Sequence, residues 1–167
     1  MSNMQELINT LPQTGSVKWI GLRPAKRSPL KSVETAELTT DKGLIGDHYS
    51  GQSGKRQVTL IQEEHLAAVA QFLRVEEIEV SLTRRNILVA GINLMALKNQ
   101  RFQIGDTVIL ETTGQCHPCS RMEENLGSGG YNAMRGHGGL TARVIVGGII
   151  KTGDKIKLIP AAITAQK

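Results

Sequence analysis

Hydrophobic positions along this chain fall into short runs separated by glycine-rich or charged punctuation. Apolar and polar residues alternate over 33–38 and 107–111 with the period of two that marks a strand. A first strand is predicted over 17–22, closed by Arg23-Pro24, and short apolar strands over 78–80 and 86–89. Residues 57–61 read as a strand running straight into a helix over 63–73, where Leu66, Val69, Ala70 and Leu73 share one face. Ile104-Gly105-Asp106 and Thr152-Gly153-Asp154 each head an alternating strand, as turn chemistry favours. Another strand is predicted over 140–146, between Gly136-His137-Gly138-Gly139 and Gly147-Gly148, and a short helix over 120–126. Residues 41–53, rich in Gly and Asp, read as an extended loop or two turns, and residues 1–15 as a polar lead-in. Many short strands with one good helix predict a mainly β, barrel-like fold with a few short helices, a single domain over 16–167.

Composition narrows the function classes. The 167 residues are 40% hydrophobic and 21% charged, which excludes a disordered chain, a collagen or a coiled coil. Lys plus Arg is 20 against 15 for Asp plus Glu, a net charge of +5, and such a field favours anionic partners. Aromatics are only 3%, too few for base-stacking platforms, so nucleic acid is an unfavoured partner. No apolar run is long enough to span a membrane, and residues 1–12 lack the basic-then-apolar pattern of a secretory leader. The expectation is a cytoplasmic protein whose two cysteines are reduced thiols.

Those cysteines sit in Cys116-His117-Pro118-Cys119, just before the predicted helix over 120–126. A thiolate at a helix N-terminus is stabilised by unpaired backbone N–H groups, and Arg121 and His117 add positive charge nearby. Chemistry is therefore expected at Cys119 in particular; the bland alternative is a pair of small buried hydrophobes. A thioredoxin-like exchange site wants a βαβ context, and structural zinc wants a second pair of ligands, neither of which the pattern supplies. Arg84-Arg85-Asn86, bracketed by apolar strands, offers forked donors for phosphate. Asp47-His48, in the glycine-rich stretch, reads by itself as a turn. Gly138 and Gly139 offer consecutive backbone N–H groups to an anion, and His137 is a candidate acid or base.

In order, these segments resemble the MOSC domain, named for the C-terminal domain of molybdenum cofactor sulfurase. The resemblance rests on Asp41-Lys42-Gly43-Leu44-Ile45-Gly46-Asp47-His48, Arg56-Gln57-Val58-Thr59-Leu60-Ile61 and Arg85-Asn86-Ile87-Leu88-Val89-Ala90-Gly91. It continues through Phe102-Gln103-Ile104-Gly105-Asp106, Pro118-Cys119, Gly138-Gly139-Leu140-Thr141-Ala142-Arg143-Val144 and Gly153-Asp154, and so runs over residues 16–159. It looks like the small stand-alone bacterial branch. The resemblance implies a β-barrel-like fold and one key cysteine, at Cys119, which carries sulfur as a persulfide or ligates molybdenum in the pterin cofactor. Cys116 is an extra thiol, which leaves open a single nucleophile at Cys119 or a catalytic pair with Cys116 as resolving partner. Longer members attach a pyridoxal-phosphate cysteine desulfurase domain, for which this chain has no room. Other relatives reduce N-hydroxylated compounds with external electron donors. The functional expectation is a protein that binds molybdenum cofactor or sulfur at Cys119, with Arg84, Arg85, Asn86, Asp47, His48, Arg121, Gly138 and Gly139 around the cofactor. A desulfurase, a molybdoenzyme or an electron-transfer protein would be its partner. The rival is a non-catalytic carrier that delivers the cofactor to a partner enzyme.

Overall fold

A capping box starts the first element. Asn3 Oδ1 accepts from the Glu6 amide and the Glu6 carboxylate accepts from the Asn3 amide, setting helix α1 (Met4–Asn9) within the lead-in. The computed structural model of the chain describes residues 1–48 and 53–161, so part of the 41–53 loop lies outside the described residues. Four strands follow α1: β1 (Gly15–Leu22), β2 (Lys31–Val33), β3 (Thr35–Thr39) and β4 (Gly43–Leu44). Next come β5 (Val58–Gln62), helix α2 (Glu63–Leu73), β6 (Ile87–Ala90), β7 (Arg101–Ile104) and β8 (Val108–Gln115). Helices α3 (Ser120–Leu126) and α4 (Gly130–Met134) precede β9 (Leu140–Val146), β10 (Gly148–Lys151) and β11 (Lys155–Ile159).

The strands β11, β7, β8, β9, β5, β6 and β1 are hydrogen-bonded in that order, and β1 pairs back onto β11. A seven-stranded barrel is thereby closed, which removes the exposed edges an open sheet would leave. Strand β2 extends outward from β1, and β3 lies between β10 and β4 in a separate three-stranded sheet. Strands β5 and β6 run parallel, linked by the crossover through α2.

Aliphatic side chains fill the barrel, among them Val17, Ile20, Leu60, Ile87 and Leu110, with Phe102 fully buried beside them. A second core lies between the helices and the outer face of β5 and β6. There Ile61 and Leu88 meet Leu66 and Val69 of α2, Met122 of α3, and Ala133 and Met134 of α4. That second core seats the helices whose ends carry the functional groups.

Three expected elements differ. Residues 78–80 form no strand; Ile78 and Val80 pack on the second core from an irregular segment that ends in a 3₁₀ turn, Val80–Thr83. Three apolar residues are too few for periodicity to separate a strand from a packed coil. The run 33–38 is broken at Glu34, because β2 pairs with β1 whereas β3 pairs with β10 in the other sheet. Strand β8 runs on to Gln115 through Thr112, Thr113 and Gly114, paired to β9 across two irregularities of register.

Candidate functional site

The local chemistry of β6 builds the site from its buried end. Asn86 is 1% exposed and hydrogen-bonds in every direction. Its Oδ1 accepts from the Thr59 amide (3.2 Å) and hydroxyl (2.9 Å), while Nδ2 donates to the Gly21 carbonyl and to Asp47 Oδ1, each at 3.1 Å. Asp47, its side chain 1% exposed, also accepts from the Arg23 amide at 2.8 Å and pairs with the Arg23 guanidinium at 3.3 Å. One amide side chain thus ties β1, β5 and the segment carrying Asp47, and holds Arg23 at the site.

Arg85 does similar work on the other side. Buried at 5% exposure, it donates Nε to the Gly138 carbonyl (2.8 Å), Nη1 to Thr83 (2.9 Å) and Nη2 to Cys116 (3.3 Å). Gly138 is glycine because a Cβ there would meet the Cys116 carbonyl oxygen at 2.0 Å. The Cys116 amide in turn donates to the Gly139 carbonyl at 2.8 Å.

These contacts frame a cavity of about 550 Å³, a size that suits a cofactor or small-molecule ligand. The segment after β1 contributes Arg23, Lys26 and Arg27 to its wall, and the approaches to β5 and β6 contribute Arg56, Arg84 and Arg85. Helix α3 brings Arg121 and Cys119, so seven cationic side chains and one thiol face the cavity, with no carboxylate in the lining. Among the described residues, only Arg23 of the seven has a carboxylate partner. Burial and the neighbouring charges of Arg23 and Arg121 pull Arg84 below the ordinary arginine range. Burial does the same to Arg85.

Cys119 is exposed and stands at the N-cap of α3. Its position follows from Met122, 1% exposed in the second core, and from Asn125, whose Nδ2 donates to the Leu82 carbonyl at 2.8 Å. Cys116 is 2% exposed inside the wall, where its Sγ accepts from Arg56 Nη2 at 3.6 Å. The two thiols are thus unlike: one faces the cavity and the other supports it.

The family model for the MOSC domain matches residues 40–157. The chain belongs to the MOSC domain family. Solved structures share its fold: YuaD from Bacillus subtilis has a TM-score of 0.75 at 19% identity, over 88% of this chain and 97% of that one. YiiM from Escherichia coli gives 0.66 at 16% identity, over 88% of this chain and 71% of its own. YiiM from Geobacillus stearothermophilus gives 0.70 at 13% identity, over 89% and 77%. None of the curated proteins matches the chain by sequence.

In this MOSC chain the residues singled out from sequence separate into three groups. Cys119, Arg84, Arg85, Arg121 and His48 line the cavity, whereas Asp47, Asn86 and Cys116 stand behind its wall. Gly138 and Gly139 are buried against Cys116 and Leu60, with their carbonyls taken by Arg85 and the Cys116 amide. His137 is outside the cavity lining. Its ring packs edge-on against His65 and Phe72 at 5.1 and 5.6 Å, and Nδ1 lies 2.9 Å from the Arg135 carbonyl. Arg23, Lys26, Arg27 and Arg56 were not singled out as ligands from sequence, although Lys26 and Arg27 form a visible basic cluster between Pro24 and Pro29.

The histidine pair gives the MOSC domain a pH signature. Burial first, and the charge of His137 second, hold His65 below its ordinary 6.5, with Glu64 opposing. The unfolded chain therefore takes up a proton that the fold resists, and stability falls as pH drops below about 6.5. Urea unfolding at a series of pH values should show that loss in the native chain and a flatter profile in His65→Gln.

Proposed function

We propose that Cys119 is the working thiol of this protein, either ligating molybdenum in a pterin cofactor or carrying sulfur as a persulfide, in support of sulfur transfer or of the reduction of N-hydroxylated compounds. The observation that carries this reading is an exposed thiol in a cavity walled by seven cationic side chains and no carboxylate. A soft thiolate suits molybdenum and sulfane sulfur, and the surrounding cations suit an anion arriving with either.

The donor set fits a cofactor that brings most of its own metal ligands. Among the described residues no group of three or more His, Cys, Asp or Glu side chains is placed to hold a bare metal ion. A single thiol completes a coordination shell rather than building one. Arg56, Arg84 and Arg121 would hold the phosphate of such a cofactor, and Arg85 fixes the wall behind them through its three carbonyls. When bound, the cofactor supplies a redox-active metal centre. The chain supplies a soft sulfur ligand, positive charge against the phosphate, and an apolar contact from Met122.

Molybdenum analysis and intact-protein mass, on protein from a host that makes the cofactor, test this reading. Native protein should contain molybdenum with pterin, or show an adduct of one sulfur atom localised to Cys119. Cys119→Ser should lose either signal by more than about tenfold, while Cys116→Ala keeps it. Molybdenum or sulfane sulfur retained in full by Cys119→Ser would overturn the proposal. Stoichiometric cofactor without turnover, together with dependence of a partner molybdoenzyme on this chain, would assign it the carrier role.

A further inference from the structure

Two banks of positive charge from distant stretches of the sequence line the one cavity, and they meet where Arg84 Nη1 donates to the Ser28 carbonyl at 2.8 Å. Arg84, Arg85 and Arg56 come from the segments that open β6 and β5, with Arg121 in the first turn of the helix that Cys119 caps. The second bank is the turn after β1, where the Ser28 amide donates to the Ala25 carbonyl at 3.1 Å and so presents Lys26 and Arg27. Asp47 neutralises Arg23 alone. Six cations are left facing one space, and a single phosphate carries only about two negative charges.

The backbone adds a second observation. Four non-glycine residues among those described have positive φ, and two of them, Arg27 at 65° and Arg84 at 66°, line this cavity. An L-residue in the left-handed region is strained, and a turn position of that kind is filled more easily by glycine. Arg84 takes that conformation as the residue that ends the 3₁₀ turn Val80–Thr83, as Arg74 does at the end of α2; Arg27 takes it in the turn after β1, with no helix end to account for it. The neighbouring positive charges of Arg23 and Arg121 around Arg84, and of Arg56 and Arg23 around Arg85, are relieved when an anion binds between them.

We infer that the cavity has two anion subsites, the second made by Lys26 and Arg27, and that its ligand is a small molecule bearing a diphosphate rather than a single phosphate. The inference takes its cavity from the proposed function, but neither subsite uses the thiol. A nucleic-acid backbone is the competing polyanion, and the scarcity of aromatics disfavours it.

Titration calorimetry of the full chain with inorganic pyrophosphate and with orthophosphate, at one fixed ionic strength, tests it. Pyrophosphate should bind one to one and at least about tenfold tighter than phosphate, the scale of one added charge-assisted contact. Lys26→Ala/Arg27→Gly should bring the two anions to near parity while phosphate affinity holds. Glycine suits the backbone at position 27, so the variant should fold with an undiminished melting temperature. Lys18→Ala/Lys98→Ala, which removes as much charge outside the cavity, should keep the preference. Equal affinity for both anions in the native chain would overturn the inference. So would a preference that survives loss of Lys26 and Arg27, or tighter binding of a single-stranded oligonucleotide than of pyrophosphate. Cys119→Ser should leave the preference intact. The preference in a protein whose Cys119 carries neither molybdenum nor sulfur would end the previous reading and leave this one standing; parity in a protein that does carry them would do the reverse.

Discussion

Gly139→Ala is expected to destabilise the protein by at least about 4 kcal/mol, a large share of the stability of an ordinary domain. Two causes add. Gly139 has φ of +83°, where an alanine is strained by roughly 1–2 kcal/mol. A Cβ on its backbone would also lie 1.8 Å from the Leu60 carbonyl oxygen and 2.8 Å from the Leu60 carbonyl carbon, both main-chain atoms of a central barrel strand. No rotamer change relieves such a contact; β5 or β9 must move. Gly136→Ala separates the causes, since Gly136 has φ of +80° with nothing within 4 Å of the added Cβ. It should lose only the backbone part, about 1–2 kcal/mol. Urea unfolding of both variants checks the pair, and equal losses would show that the approach of Gly139 to β5 is not what requires glycine there.

Asn86→Ala should cost about 3 kcal/mol and weaken anion binding as well. Removing the side chain strands the Gly21 carbonyl and the Thr59 amide in a region closed to water, at roughly 1–3 kcal/mol for each unsatisfied group. Asp47 loses one of the donors that fix it, and Arg23, which donates to Asp47, is held less firmly. Asn86→Asp preserves the shape but sets a second carboxylate against Asp47 and removes both Nδ2 donations, so its loss should be at least as large. Unfolding free energies measured beside phosphate affinity read both effects. A variant with native stability and native affinity would remove Asn86 from the account.

How far the sequence could be read depends on what each segment asks of its residues. Helix α2 was predicted over 63–73 and found there, because Leu66, Val69 and Leu73 face the second core at helical spacing. Strand β9 and helix α3 likewise fall on residues 140–146 and 120–126. Helix α1 was missed although the Asn3-to-Glu6 spacing of its capping box was legible, since none of its residues is buried and no apolar stripe marks it. Strand β7 and helix α4 are too short for periodicity to show, at four and five residues.

The site was legible where chemistry is unusual and obscure where it is ordinary. A thiol preceding a helix, with an arginine in the first turn, is a rare arrangement, and Cys119 and Arg121 do share the cavity. Asp47 looks like a plain turn residue in sequence and Asn86 like the head of a strand, yet their hydrogen bonds set Arg23. Glycines 138 and 139 suggested an anion-binding loop from sequence; in the fold both pack closely against main-chain oxygens, and neither is part of the cavity lining. The bank formed by Lys26 and Arg27 depends on a turn after β1 folding back over the start of β6, where Arg84 donates to the Ser28 carbonyl at 2.8 Å. Sequence separation hides that contact.

The central claim is that positive charge surrounds an accessible sulfur at position 119, and thiol kinetics on the native protein test it most directly. One thiol, Cys119, should react quickly with the dithiobis-nitrobenzoate dianion and more slowly with a neutral dipyridyl disulfide. That preference should shrink as salt is added and in Arg84→Ala/Arg121→Ala, while Cys116 stays unreactive until the chain unfolds. A Cys119 that resists both reagents in the folded state, or takes them at equal rates whatever the salt, would contradict the account.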